Sequence, residues 1–212
     1  MNLRTRVKIC GITTADAAES AVEAGADALG LVFYEPSKRY IKVHTAIEIA
    51  NVVPAFVSLV GLFVDSDEAS INKVLKQVPL QLLQFHGNES ASFCESFGLP
   101  YIKALRVKDG MDIPELVRSY PTAKAILLDT YKENTPGGTG EVFDWSLVPE
   151  LADRIILAGG LCAKNVGQAI SAVKPYAVDT SGGVESAPGV KDPARIRAFI
   201  SQVLQTDANL NA

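Results

Sequence analysis

The chain has 212 residues, 48% of them apolar and 21% charged, with a net charge of −4 and a pI near 5.3. That is enough apolar material for one substantial core, and the mild acidity without a basic stripe argues against nucleic acid as the main partner. Three scattered cysteines (Cys10, Cys94 and Cys162) fit reduced thiols better than a disulfide scaffold. The opening residues lack the apolar stretch of a signal peptide, and no apolar run could span a bilayer, so a cytoplasmic protein with no membrane partner is expected.

Short apolar runs alternate with amphipathic stretches along the chain. Strands are expected at Val7–Cys10, Ala28–Phe33, Ser58–Phe63, Leu82–Phe85, Tyr101–Ala104, Ala125–Asp129, Ile155–Ala158 and Ala177–Asp179. Several are apolar without alternation, as in strands covered on both faces. Helices are expected at Ala15–Ala24, His44–Val52, Ala69–Gln77, Ser90–Phe97, Ile113–Ser119, Trp145–Glu150, Ala163–Val173 and Pro193–Leu204. Thr13 or Thr14, Ser66, Asn88 and Asp112 are placed to cap four of them, and Pro193 suits a first helical turn. Residues 206–212 form a polar tail expected to fray. Eight strand–helix units in so short a chain favour a single-domain α/β fold, a closed (βα)8 TIM barrel over residues 1–212. The alternative is an open doubly wound sheet.

In such a barrel the active site lies where the strands end. Strand one ends in Cys10-Gly11, and strand two leads into Ser37-Lys38-Arg39. Strand four ends in Gln84-Phe85-His86, and strand six in Asp129. Strand seven leads to Gly159-Gly160, and strand eight to Asp179 and Ser181-Gly182-Gly183. Two Gly-Gly pairs after the last two strands suit a phosphate, because glycine lets backbone N–H groups approach an anion closely. Gly137-Gly138-Thr139-Gly140 lacks the lysine of a nucleotide-binding loop and reads as part of a lid over 132–141. Each side chain also has a plainer reading. Cys10 can be a small buried apolar residue, as Cys94 and Cys162 are taken to be on their helices. Asp129 can be a helix cap or the partner of a buried cation, His86 an ordinary loop histidine or a cap of the fourth helix, and Arg39 a solvated loop charge. Lys8 and Cys10, two apart on a strand, should face the same way. Lys8 then either tunes the thiol or forms a purely structural pair with Asp179 on the neighbouring strand.

KICGIT at 8–13, GLVFYEPSKRYI at 30–41, VGLFVD at 60–65, LLQFHGNE at 82–89, LLDTYKENTPGGTGEVFDW at 127–145, ILAGGL at 156–161 and VDTSGGVESAPGVKD at 178–192 resemble the phosphoribosylanthranilate isomerase family in order and over nearly the whole chain. Two departures are visible. Phe85 replaces the family's usual leucine in LQLHG, and Gly182 replaces a serine, which removes one hydroxyl but leaves the backbone donors.

The resemblance implies an Amadori rearrangement in tryptophan biosynthesis. N-(5-phosphoribosyl)anthranilate would become 1-(2-carboxyphenylamino)-1-deoxyribulose 5-phosphate. It implies Asp129 as the acid and Cys10 as the base. Arg39 is implied near the anthranilate carboxylate, with Gln84, His86 and Asp179 also facing the substrate. Gly159, Gly160, Ser181, Gly182 and Gly183 are implied around the phosphate. No metal or organic cofactor is implied, because the iminium formed on ring opening is itself the electron sink. Another sugar-phosphate isomerase or epimerase, or a non-catalytic phosphate-ligand-binding barrel, stay as alternatives. The assembly is expected to be a monomer or a homodimer.

Overall fold

A computed structural model describes residues 4–108, 110–130, Trp145, Val148 and 154–211. Eight parallel strands close into a barrel: β1 (Arg6–Cys10), β2 (Ala28–Val32), β3 (Ser58–Phe63), β4 (Leu82–Phe85), β5 (Tyr101–Val107), β6 (Ala125–Thr130), β7 (Ile155–Leu157) and β8 (Ala177–Thr180). Pairing of β8 with β1 completes the ring, with Lys8 opposite Asp179. The open doubly wound alternative is thereby excluded. The described helices are α1 (Ala15–Glu23), α2 (Val43–Val52), α3 (Glu68–Leu75), α4 (Ala91–Glu95), α5 (Ile113–Arg118), α6 (Val166–Val173) and α7 (Pro193–Leu210).

Strand periodicity divides the apolar residues between two compartments. On β6, Ala125 and Leu127 join Ile102, Ala104, Ile156 and Ala177 in the barrel interior, while Ile126 and Leu128 pack outward into the core beneath the helices. Asp129 is the next inward position on that strand, so the alternation carries its carboxylate to the interior of the rim. The same rule on β1 sends Val7 and Ile9 outward and leaves Lys8 and Cys10 facing in.

Several boundaries differ from those expected. Thr14 and Asp112 cap α1 and α5 by accepting from the Ala17 and Glu115 amides. The cap of α3 is Asp67 rather than Ser66, and that of α4 is Ser90 rather than Asn88. The Asn88 amide instead donates to Asp65 Oδ1 at 2.6 Å. The sixth described helix begins at Val166 because Asn165 folds back over the preceding turn. Its Oδ1 accepts from Cys162 N at 2.8 Å and its amide donates to Gly160 O at 3.1 Å. Cys162 therefore lies before the helix, not on it. The expected fraying of 206–212 is overturned through Leu210, because α7 continues and buries Thr206 and Asp207. Asp207 accepts from the Thr5 amide at 2.6 Å and from the Thr5 hydroxyl at 2.7 Å, tying the helix to the start of β1. Of the helix expected at 145–150, only Trp145 and Val148 fall among the described residues, and the glycine-rich loop at 132–141 lies outside them.

One element was absent from the expectation. After β8, a turn of 3-10 helix (Gly182–Val184) leads into an antiparallel hairpin of β9 (Glu185–Ala187) and β10 (Val190–Lys191). Pro188-Gly189 at its tip is a turn signal that could have revealed it.

Candidate active site

The strand ends enclose a cavity of about 390 Å³, lined by the side chains and glycines that the resemblance places around the substrate and its phosphate. Cys10 comes from the end of β1 and Arg39 from the loop after β2. Gln84 and His86 come from β4 and its end, Asp129 from β6, and Asp179 from β8. Gly159 and Gly160 follow β7, while Ser181, Gly182 and Gly183 follow β8. Gly159 and Gly183 in these two neighbouring loops have no room for a side chain. A side chain on Gly183 would collide with the Leu161 carbonyl, which already accepts from Thr180 Oγ1 at 2.7 Å.

Cys10 is 5% exposed and shares an apolar wall with Val32 and Leu62, against which Tyr34 and Val64 pack. Burial pushes its thiol pKa up, the positive charges of Lys8 and Lys191 pull it down, and burial prevails. Lys8, equally buried, donates to Asp179 Oδ1 at 2.7 Å. Burial disfavours its ammonium, but the charges of Asp179 and Cys10 outweigh that and hold its pKa above the usual lysine value. Cys94 is a contrasting thiol. It lies in the core beneath the helices, and burial pushes its pKa up to about 12.

On the opposite side, His86 Nε2 lies 3.3 Å from Asp129 Oδ2. The Gln84 amide nitrogen is 3.1 Å from His86 Nδ1. Gln84 is fully buried, and its Oε1 has no hydrogen-bond partner among the described residues.

Arg39 is held by a two-point pair. Its Nε and Nη2 donate to the two oxygens of Glu185, each at 2.7 Å. This fork-to-fork geometry fixes the guanidinium and leaves Nη1 uncommitted to Glu185. Arg39 is thus not the solvated loop charge of the plainer reading. Glu185 also accepts from Lys191 Nζ at 2.8 Å. Burial works against its ionisation, but the bonds from Arg39 and Lys191 win and hold its pKa below the usual carboxylate range.

Sequence reasoning missed four residues here. Glu185 and Lys191 belong to the unforeseen hairpin. Cys162 lines the cavity, whereas its expected place was a helix interior. Arg106, beside Asp129 in the β5–β6 register, also lines it, and its buried Nε has no hydrogen-bond partner among the described residues.

Residues 7–202 match the family model described as N-(5'phosphoribosyl)anthranilate (PRA) isomerase. The chain belongs to that family. It is 56% identical over 199 residues to the N-(5'-phosphoribosyl)anthranilate isomerase of Pseudomonas aeruginosa strain LESB58, covering 93% of this chain and 94% of the relative. Among solved family structures, the phosphoribosylanthranilate isomerase of Thermotoga maritima superposes with a TM-score of 0.87 at 41% identity, over 95% of this chain and 99% of its own. A second structure, of a phosphoribosylanthranilate isomerase in complex with reduced 1-(o-carboxyphenylamino)-1-deoxyribulose 5-phosphate, superposes with a TM-score of 0.84 at 40% identity, again over 95% and 99%. No helix among the described residues is long and apolar enough to cross a membrane.

Proposed function

We propose that this protein isomerises N-(5-phosphoribosyl)anthranilate to 1-(2-carboxyphenylamino)-1-deoxyribulose 5-phosphate in tryptophan biosynthesis. The observation that carries this reading is the meeting, in one cavity, of a buried thiol, a histidine-braced carboxylate and paired glycine loops.

The phosphate is held by backbone N–H groups of Gly159, Gly160 and Ser181–Gly183. The anthranilate ring lies against the apolar wall of Val32, Leu62 and Tyr34, and its carboxylate meets Arg39. Asp129 delivers a proton to the ribose ring oxygen as the bond from C1 to that oxygen breaks. The lone pair of the anilino nitrogen forms the iminium. Cys10, as thiolate, removes the proton from C2, and the electron pair moves toward the iminium nitrogen to give an enolamine, which tautomerises to the ketone. Lys8 and Lys191 offset part of the cost that burial imposes on that thiolate. Because the iminium accepts the electron pair, the reaction calls on no added electrophile. A dimeric member of the family is known from Thermotoga maritima, and we take this chain to act as a monomer or a homodimer.

The test is the loss of phosphoribosylanthranilate fluorescence with purified, metal-free protein. Turnover at an enzymatic rate supports the reading. No turnover by folded protein, or faster turnover of a different phosphosugar, overturns it.

A further inference from the structure

Glu185 and Lys191 face each other across the β9–β10 hairpin, and both side chains are withdrawn from solvent, at 5% and 0% exposure. The hairpin is wedged between the loops after β1 and β2. Thr13 Oγ1 donates to the Gly189 carbonyl at 2.8 Å, and a side chain at Gly189 would strike the Lys38 carbonyl. The Glu185 carboxylate reaches across to Arg39, 146 positions earlier in the chain. Lys191 turns the other way. Besides Glu185, its ammonium donates to Ser181 O at 3.1 Å and lies 3.3 Å from Ser181 Oγ. Ser181 and the two glycines after it line the cavity.

Two features set this cluster apart from scaffolding. Removing the Glu185 and Lys191 charges from water is costly, and buried ion pairs can often be replaced by apolar residues without loss of stability, which points to geometry as what the cluster supplies. Its charge is also unbalanced, since two cations share one carboxylate. The excess positive charge lies beside a cavity proposed to take a ligand with two anionic ends.

We propose that Glu185 and Lys191 are positioning residues for the isomerisation. Glu185 fixes the guanidinium that meets the substrate's carboxylate, and Lys191 fixes the loop that meets its phosphate. One buried carboxylate thereby sets the distance between the two anionic ends that the enzyme accepts. The proposal rests on the functional reading above for the identity of those ends.

Binding of three probes tests it in the full-length protein. They are inorganic phosphate, reduced 1-(o-carboxyphenylamino)-1-deoxyribulose 5-phosphate, and its phenylamino counterpart lacking the carboxylate. Lys191→Met is expected to weaken inorganic phosphate by about 10–100-fold, the equivalent of one charge-assisted hydrogen bond, with Lys191→Arg restoring part of it. Glu185→Gln is expected to weaken phosphate and also to shrink the preference for the carboxylate-bearing analogue. In an Arg39→Met background, Glu185→Gln should change that preference no further. Glu185→Asp, which keeps the charge but shortens the reach, should resemble Glu185→Gln. Folded Glu185→Gln and Glu185→Asp proteins with parental phosphate affinity and parental preference would overturn the proposal. If Arg39→Met leaves the preference intact, the assignment of Arg39 fails and takes the Glu185–Arg39 half with it. The phosphate measurement on Lys191→Met involves no Arg39 and decides the other half alone.

Discussion

Lys8 and Asp179 are register partners across the seam that closes the barrel, and the ammonium donates to the carboxylate at 2.7 Å. Cys10 is two residues further along the same inward face, so its thiol feels both charges, with opposite signs. Lys8→Met should therefore raise the apparent Cys10 pKa further and slow its alkylation at any given pH, whereas Asp179→Asn should lower it. The measurement is the pH dependence of iodoacetamide alkylation in a Cys162→Ala background, since Cys162 also lines the cavity. Unchanged profiles in both variants would leave Lys8–Asp179 as a purely structural pair.

Cys10→Ala and Asp129→Asn should each reduce kcat by at least about 10²–10⁴-fold, the usual worth of a general base or acid, while the circular dichroism spectrum stays parental. His86→Asn removes the ring nitrogen facing Asp129. It is expected to lower kcat by less than Asp129→Asn does. Parental turnover by Cys10→Ala would show that the base lies elsewhere.

Arg106 contributes a buried donor without a partner among the described residues, which is a cost to folding. Arg106→Met should accordingly leave Tm unchanged or raise it. The same substitution removes a positive charge beside Asp129, and the affinity for the anionic product analogue should fall. A lowered Tm with parental affinity would make Arg106 a structural residue.

The depressed pKa of Glu185 has a consequence for stability in acid. In the unfolded chain this carboxyl takes up a proton at higher pH than in the folded protein. Its stabilising contribution is thus fully present above the ordinary carboxylate pKa and is lost as pH falls through the lower, folded-state value. Urea midpoints followed from neutral pH into acid should fall less steeply for Glu185→Gln than for the parent. Parallel curves would show that Glu185 is not coupled to folding in this way.

Asp207 satisfies a buried backbone amide and a hydroxyl at the entry to β1. Asp207→Ala leaves the Thr5 N–H without its acceptor, and the expected cost is about 1–3 kcal/mol, read as a lower urea midpoint at constant m-value. A change within error would show that water replaces the carboxylate without penalty.

Local pattern alone was sufficient for the eight strands and for the placement of Cys10, Asp129 and Asp179 at the barrel rim. A strand alternates its faces every residue, so an apolar run that ends in a polar side chain already says which side chains reach the interior. The resemblance of KICGIT and the later segments added the chemistry. What the tertiary structure decided is long-range or depends on where an element stops. Ending β5 at Ala104 left Arg106 off the rim, and three further residues of strand bring it in. The polar end of α7 looked unsupported until Thr5, 202 positions away, supplied its partners. The strands carrying Glu185 and Lys191 are three and two residues long, too short for a period to be visible. The join between Arg39 and Glu185 spans 146 positions, and only closure of the barrel brings the loop after β2 against the hairpin after β8.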